Sequence, residues 1–557
     1  MGRYNGNSGG GAGGVQEIIN AVLPAGELIQ RGDLVLVGAD GKGYVAALPT
    51  DAEVFRAVRP TAGGPQLEHF RLASSFAVSA AYNDTSGDTF DAIKLTNGNL
   101  LVTSADASEA VVGLPVFSLF DSDGKVILPQ RGIPNISGAA AARNVPAIAL
   151  PNGGFAIAYL TATGLWLSIH DAAGVQVRAP FAVGNNAQYG VRMALLENGN
   201  IVVATCGTLT IGYSVWKTDG TAVKAATNLA SGQNGAWRDR IMAVTALVGG
   251  GFAIGYVIGD TTSTCMAYSH VFSAAGVGGA GTPLWPTRGT NGYGGCHITA
   301  LQDGGYAFAA TGNQIGCYLG FYTAQGGLRR TINLGTLTTQ DTGNGIGLAT
   351  APNGNVGIVY TSGNEALGVA AALYGPAGEV LTAPRKIEAY ASTTQCGPLS
   401  FNEDGSAYFG VTAGSGGQAL PRVYVLDPTF NTAGKMQLSG TTIWTSPRPK
   451  VFSTKNSKVD EPCYALVYQE GTAKGLVLSV YLAMRQQMTL LGVATNNAPK
   501  GNSASVQMTG MTVLRKRFAQ PWAVNQQGSN PPGQRMQAMG NTAVLSGIQS
   551  DSSTQIN

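Results

Sequence analysis

"FDSDGKVIL" begins at Phe120, "HDAAGVQVR" at His170, "WKTDGTAVK" at Trp216 and "FSAAGVGGA" at Phe272. In each stretch an aromatic ring or a histidine stands four residues before a glycine. Tyr322 before Gly326 and Tyr374 before Gly378 continue the series, and a blurred seventh member lies in "VLDPTFNTAGKM". A second series of turn glycines alternates with the first. Gly98 ("LTNGNLLVTS"), Gly153, Gly199, Gly250 and Gly304 follow a leucine; Gly354 and Gly405 keep the turn without that leucine in register. Successive members of this second series are 46 to 55 residues apart, the length of one propeller repeat.

Asn-Gly and Asp-Gly between apolar runs predict tight hairpins, of type I′ with positive φ at both central residues. Two hairpins in each repeat require about four short strands. Runs such as "GFAIAYL" and "GLWLSIH" are apolar on both faces, which suits sheets covered on both sides by other sheets. The pattern predicts an all-β chain: a β-propeller of about eight four-stranded blades, with seven as the alternative, because such sheets hide both faces only by radial stacking. The degenerate eighth repeat is expected in the segment 462–483. The corner rings Phe120, His170, Trp216, Phe272, Tyr322 and Tyr374 end each third strand and are expected to pack between sheets. His170 is the repeat's variant of that ring and receives no catalytic role.

Composition agrees. A chain of 557 residues with 79 glycines and 12% charged residues is too long for one ordinary core and poor in the residues of surface helices. A net charge of +3 leaves no footprint of a nucleic-acid binder, and the densest basic cluster, Arg515 to Arg517, reads as a solvated strand end. Six cysteines show no metal or redox spacing and read as buried free thiols. The start lacks the apolar core of a secretory signal, and no run of eighteen apolar residues occurs, so synthesis in a cytoplasm without membrane insertion is expected.

Outside the repeats, 23–48 reads as two short strands around Asp40-Gly41, and 490–514 as another pair. "GDLVLVGADGKGYVAA" together with "LLGVATNNAPKGNSASVQMTG" resembles the small β-barrel modules of tailed-bacteriophage virion proteins, through Gly32, Asp33 and Val35 and then Gly492, Val493, Ala494, Gly501, Val506 and Gly510. The "F-D-x-D-G" corners are similar to those of phage-encoded and bacterial surface propellers. The resemblance implies a propeller inserted in a split β-barrel or sandwich module. The expected divisions are a Gly-rich arm (1–20), the first half-module (21–65), the propeller (66–486), the second half-module (487–520) and an extended polar tail (521–557).

The resemblance further implies a non-enzymatic structural component of a phage particle, a tail fibre, receptor-binding or decoration protein. It is expected in the virion as a homo-oligomer, with other virion proteins and a host-surface glycan or protein as partners. The alternatives are an extracellular carbohydrate-binding propeller and a glycan-degrading enzyme. No cofactor, metal site, catalytic residue or nucleic-acid partner is predicted. "GNSGG" at Gly6 to Gly10 lacks the strand and helix of a nucleophile elbow. Asp121 and Asp123 lack the distal ligands of a calcium loop. Arg143, Arg192, Arg238, Asp239, Arg240 and His297 precede first-hairpin strands and read as solvated loop charges.

Overall fold

The computed structural model describes, in the propeller region, residues 69–79, 90–106, 114–134, 145–161, 164–184, 190–207, 210–231, 242–259, 265–284, 295–312, 316–335, 345–361, 368–389, 394–415, 418–437, 449–455, 462–470 and 475–484. Outside that region it describes 20–24, 34–37, 43–45, 489–494, 503–507, 512–514, 537–539, 542–544 and 554–556. The chain forms two compact units. One comprises Pro65–Lys455 and Pro462–Ala483; the other comprises Met1–Gly64, Asn456–Glu461 and Met484–Asn557.

Among the described residues, the larger unit contains eight four-stranded sheets. Seven are continuous meanders over 91–132, 147–184, 190–231, 242–283, 296–333, 346–388 and 395–437. The eighth takes three strands, Lys450–Lys455, Pro462–Glu470 and Gly475–Met484, and is completed by His69–Ser79 from before the first blade. The first strand of every blade touches the first strands of its two neighbours, and the contact from the eighth back to the first closes the cycle. This is a β-propeller. At the seam Lys94 Nζ donates to Ser453 O at 2.9 Å, and Thr454 Oγ1 to Ser122 O at 2.8 Å.

The meander fixes which connections share an end. The turn between first and second strands and the turn between third and fourth lie at one end of each sheet. The second-to-third loop and the passage to the next blade lie at the other, the loop end.

Both turn series close alike. In the first, Gly98 N donates to Leu95 O (2.9 Å) and Leu95 N to Asn99 O (2.8 Å); in the second, Gly124 N donates to Asp121 O and Asp121 N to Lys125 O (both 2.9 Å). Gly98 has φ of 88° and Gly124 of 80°. Among the described residues Phe430 is the one non-glycine with positive φ, so the expected type I′ turns are not formed. Apart from the Gly249-Gly250 turn, which has two left-handed glycines, and the corner at Phe430, each turn is a three-residue loop with a single left-handed position at the glycine, the G1-bulge form. Asparagine and aspartate serve as side-chain acceptors instead: Asn97 Oδ1 takes Asn99 N, and Asp121 Oδ1 takes Asp123 N, both at 3.0 Å.

Burial follows strand position. In the sixth blade the two middle strands, Val356–Thr361 and Val369–Tyr374, are buried at every residue, whereas the outer strand Val380–Glu388 alternates between exposed and half-buried. Middle strands are covered on both faces, which is why they read as unbroken apolar runs. The cores lie between sheets: Leu101, Phe117 and Leu119 of the first blade pack with Phe155, Ile157 and Tyr159 of the second.

In the smaller unit, Asn20–Pro24, Leu34–Val37 and Gly43–Val45 join Thr489–Ala494 and Ser503–Gln507 in one five-stranded sheet. Leu34 pairs with Val493 and Asn20 with Gln507, so segments from either side of the propeller share the sheet. The segment expected to be an extended polar tail carries short strands. Gln537–Met539 pairs with Thr542–Val544, and Thr554–Ile556 with Thr512–Leu514. The hairpin signal there is Gly540-Asn541 between short runs with β-favouring ends.

Candidate functional site at the loop end of the axial channel

The first strands line the axis of the ring, and near their starting ends they surround a cavity of about 200 Å³. Every blade contributes. The polar side chains are Asp91 (first blade), Arg192 (third), Cys296 and His297 (fifth) and Lys450 (eighth), interspersed with apolar residues such as Met193 and Pro398. Since first strands run from the loop end toward the turn end, these positions belong to the loop end.

Asp91 holds three blades together. Its Oδ1 accepts from Ala92 N (2.9 Å) and lies 3.3 Å from Lys450 Nζ, while Oδ2 accepts from Ala147 N at 3.1 Å. The Asp91–Lys450 ion pair is half-buried, with side-chain exposures of 22% and 23%. Arg192 donates from Nη1 to Val191 O at 3.2 Å and is near enough to Cys296, two blades away, to favour its thiolate. Burial outweighs that influence and pushes the Cys296 thiol up. The Cys296 Sγ–H contacts Gly255 O at 3.7 Å.

Arg192 and His297, read from sequence as loop charges, therefore stand on first strands and line the channel. Arg143, Arg238, Asp239 and Arg240 lie outside the described residues. Asp91 and Lys450 were not singled out in the sequence. The signal that could have found them is position, since each opens the first strand of its blade.

The corner rings occupy one structural position. Phe120, His170, Trp216, Phe272, Tyr322 and Tyr374 each end a third strand. All are buried except Trp216, which is half-buried. Phe155 stacks on His170 at 5.0 Å, Phe252 on Phe272 at 4.8 Å and Tyr306 on Tyr322 at 4.7 Å between centroids. His170 Nδ1–H donates to Gly174 O at 3.3 Å, so Nε2 accepts from Ser168 Oγ–H at 2.9 Å. Burial lowers its pKa to about 4. The imidazole is neutral at pH 7 and acts as a packed ring.

The corner glycines explain the spacing that opens the sequence. Gly174 lies beneath the first blade: a methyl group there would sit 2.8 Å from Leu128 Cδ2 and 3.2 Å from Phe117 Cε2. Outer-strand cations reach forward to the next corner. Arg131 donates to Gly174 O, Arg178 lies over Gly220, Lys224 over Gly276 and Arg330 over Gly378. In the seventh blade Phe430 replaces the glycine at φ of 64° and is fully buried. Its ring fills the space left by Gly357 in the sixth blade, where an added methyl group would lie 2.5 Å from Phe430 Cζ.

One further charged cluster joins the sixth and seventh blades. Glu388 accepts from Tyr424 Oη, from Arg422 Nη1 at 2.5 Å and from Lys435 Nζ at 3.0 Å. Burial alone would raise its pKa, but these hydrogen bonds and the Arg422 charge outweigh it and hold the carboxyl down at about 2. Asp121 Oδ1 accepts from the backbone of Asp123 and Lys125, a turn-capping role. Among the described residues no group of three or more His, Cys, Asp and Glu is placed to hold a metal ion, and no helix is long and apolar enough to cross a membrane. Cys206, Cys317, Cys396 and Cys463 are buried free thiols, and Cys296 is a half-buried one.

No family model matches the chain, and no curated protein matches it. Solved structures similar to it include a prolyl endopeptidase (12% identity, TM-score 0.37, covering 75% of this chain and 55% of that one). Prolyl oligopeptidase B from Galerina marginata aligns at 10% identity and TM-score 0.38 over 78% of this chain and 64% of its own. The BP39L lectin from Burkholderia pseudomallei aligns at 12% identity and TM-score 0.42 over 64% of this chain and 99% of its own. The chain thus spans 55% and 64% of the length of the two peptidases. The propeller assignment rests on the sheet order and the closed cycle of first-strand contacts in this chain.

Proposed function

We propose that this chain is a non-enzymatic structural component of a phage particle, joined to the particle through its five-stranded sheet and presenting the loop end of the propeller for host-surface attachment. The observation that carries the reading is the split sheet. Strands from either side of the propeller meet in one small unit, as in an adhesive domain inserted into an anchoring module. The chain leaves the propeller at the turn end, because Gly475–Met484 runs antiparallel to Pro462–Glu470 and finishes opposite the latter's start. The loop end, with the channel cavity, is the opposite end of the blades.

Immunogold labelling of purified particles with an antibody to the chain tests this reading. Labelling at a tail, neck or head position is expected, together with inhibition of adsorption by the purified chain. Absence of the chain from particles would overturn the proposal. Depolymerisation of host capsule or lipopolysaccharide by the purified chain would transfer it to the glycan-degrading class.

A further inference from the structure

We propose that a cleft at the turn end, in the joint between the fourth and fifth blades, docks an uncharged segment of a neighbouring virion protein and holds it by one large aliphatic side chain. The identity of the partner rests on the proposed function; the cleft follows from the repeat.

The fourth blade departs from the repeat in three places. In other blades the residue after the leucine of the first turn reaches forward to the next blade: Thr96 Oγ1 donates to Leu150 O (3.0 Å), Glu197 Oε1 accepts from Gly249 N (3.1 Å) and Gln302 Nε2 donates to Pro352 O (2.8 Å). The fourth blade has Val248 there, whose side chain can make no such bond. At the following position, where Asn97, Asn198 and Asp303 stand in other blades, it has Gly249. Its outer strand is cut to Thr282–Pro283 behind the glycine-rich segment 276–281, so no cation leans on the next corner; the short hydroxyl of Thr282 donates to Gly326 O at 2.8 Å instead.

These departures meet in a cleft of about 400 Å³. Val271 and Phe272 line it with the glycine backbone of 249–251, Gly279 and Gly304, and Val248 and Val277 stand beside it at 53% and 70% exposure. No charged side chain lines it, and every turn of the third to sixth blades lies within the described residues. An ion placed there would lose its hydration without gaining a partner, so the occupant is uncharged. Two large exposed apolar side chains where the repeat elsewhere uses polar links mark an interaction surface, and backbone left bare by glycine can pair with an extended segment.

Extent decides against a second copy of this chain. A stable pairing of subunits covers roughly 800 Å² on each partner, whereas the adjoining turn ends carry exposed Glu197, Lys217, Asp219, Asp303 and Arg329 and confine the uncharged surface to one joint. The chain also leaves the propeller at this end to reach the five-stranded sheet, so in the proposed function this end serves the particle.

The test observes the methyl-labelled full chain by nuclear magnetic resonance during titration with capped pentapeptides of serine and glycine that carry leucine, alanine or aspartate at the centre. The leucine peptide is expected to shift the methyl signals of Val248, Val271 and Val277 and to bind about tenfold more tightly than the alanine peptide, while the aspartate peptide leaves them unmoved. Val248→Gln, which installs the residue found at Gln302, and Val277→Thr, which matches Thr221, should each weaken the leucine peptide about fivefold while the melting temperature holds. In assembled particles, a photo-crosslinking amino acid in place of Val277 is expected to capture an uncharged stretch of another virion protein. Equal binding of the peptides, shifts confined to other parts of the chain, or affinity unchanged by both substitutions would overturn the site. Capture of a second copy, of a charged stretch or of nothing would overturn the partner. Either failure, with the chain still located on particles, leaves the proposed function standing. Binding of the leucine peptide by a chain absent from particles removes that function and its partner and keeps the cleft.

Discussion

The turn at Gly199 and the corner at Gly220 belong to one blade, close with the same hydrogen bonds and hold glycine at φ of 80° and 79°. A methyl group added at Gly199 meets nothing within 4 Å; at Gly220 it lands 2.6 Å from the guanidinium of Arg178 on the preceding blade. The first turn is a local device, needed to reverse the chain. The second is also a joint, because the outer strand of one blade rests on the corner of the next. Identical backbone thus carries two different burdens, and substitution separates them.

The largest effect is expected at a joint. Gly174→Ala combines a left-handed φ with overlap onto Leu128, Leu119 and Phe117, and should cost about 4 kcal/mol, read as a fall in the denaturant midpoint. The seventh blade inverts the rule. Phe430→Gly relieves the backbone but empties a buried site, for a net loss of about 3 kcal/mol. The partner substitution sharpens this: Gly357→Ala should destabilise the native chain and cost less in the Phe430→Gly background, where the overlaps with Phe401 and Leu399 remain, a coupling that a double-mutant cycle measures. Independent effects would show that Phe430 and Gly357 do not share one space.

Next in size is a pH effect. His170 has a folded pKa of about 4, below its ordinary value near 6.5, so the unfolded chain binds the proton first and stability falls as pH drops from 6.5 toward 4. His170→Phe, which installs the ring of other corners, should remove about 2 kcal/mol of that loss at pH 5. Glu388 acts lower. Its carboxyl is held at about 2, so its stabilisation is full above the ordinary carboxylate range and disappears as pH falls toward 2. The smallest effect is at the local turn. Gly199→Ala should cost about 1 kcal/mol and Gly199→Asn a few tenths, because only φ is at stake. A loss at Gly199 matching that at Gly174 would erase the distinction.

Sequence reading reached the parts of this fold that are local. Positive-φ glycines, the acceptors Asn97 and Asp121, and the ring ending each third strand are written within a few residues of one another, so their period exposes the blades. The joints were harder to see. Arg131, Arg178, Lys224 and Arg330 look like ordinary outer-strand cations until the following corner is brought beneath them, 42 to 52 residues later. The turn type was misjudged because Asn-Gly permits two left-handed residues, whereas the Asn side chain here is used as an acceptor. At the channel, Arg192 and His297 were noticed but placed on loops; Asp91 and Lys450 were not noticed, since a pair 359 positions apart in sequence leaves no spacing to read.

The strand His69–Ser79 waits for its partner. It is synthesised before any blade, yet its neighbour in the eighth sheet, Gly475–Met484, emerges nearly four hundred residues later. Until then the nascent ring has two open edges, and no intermediate length of chain can close it. Closure entropy grows only logarithmically with such a span, so the penalty falls on time more than on final stability. Emergence of Gly475–Met484, rather than the making of any single blade, becomes the event that commits this molecule to its native form.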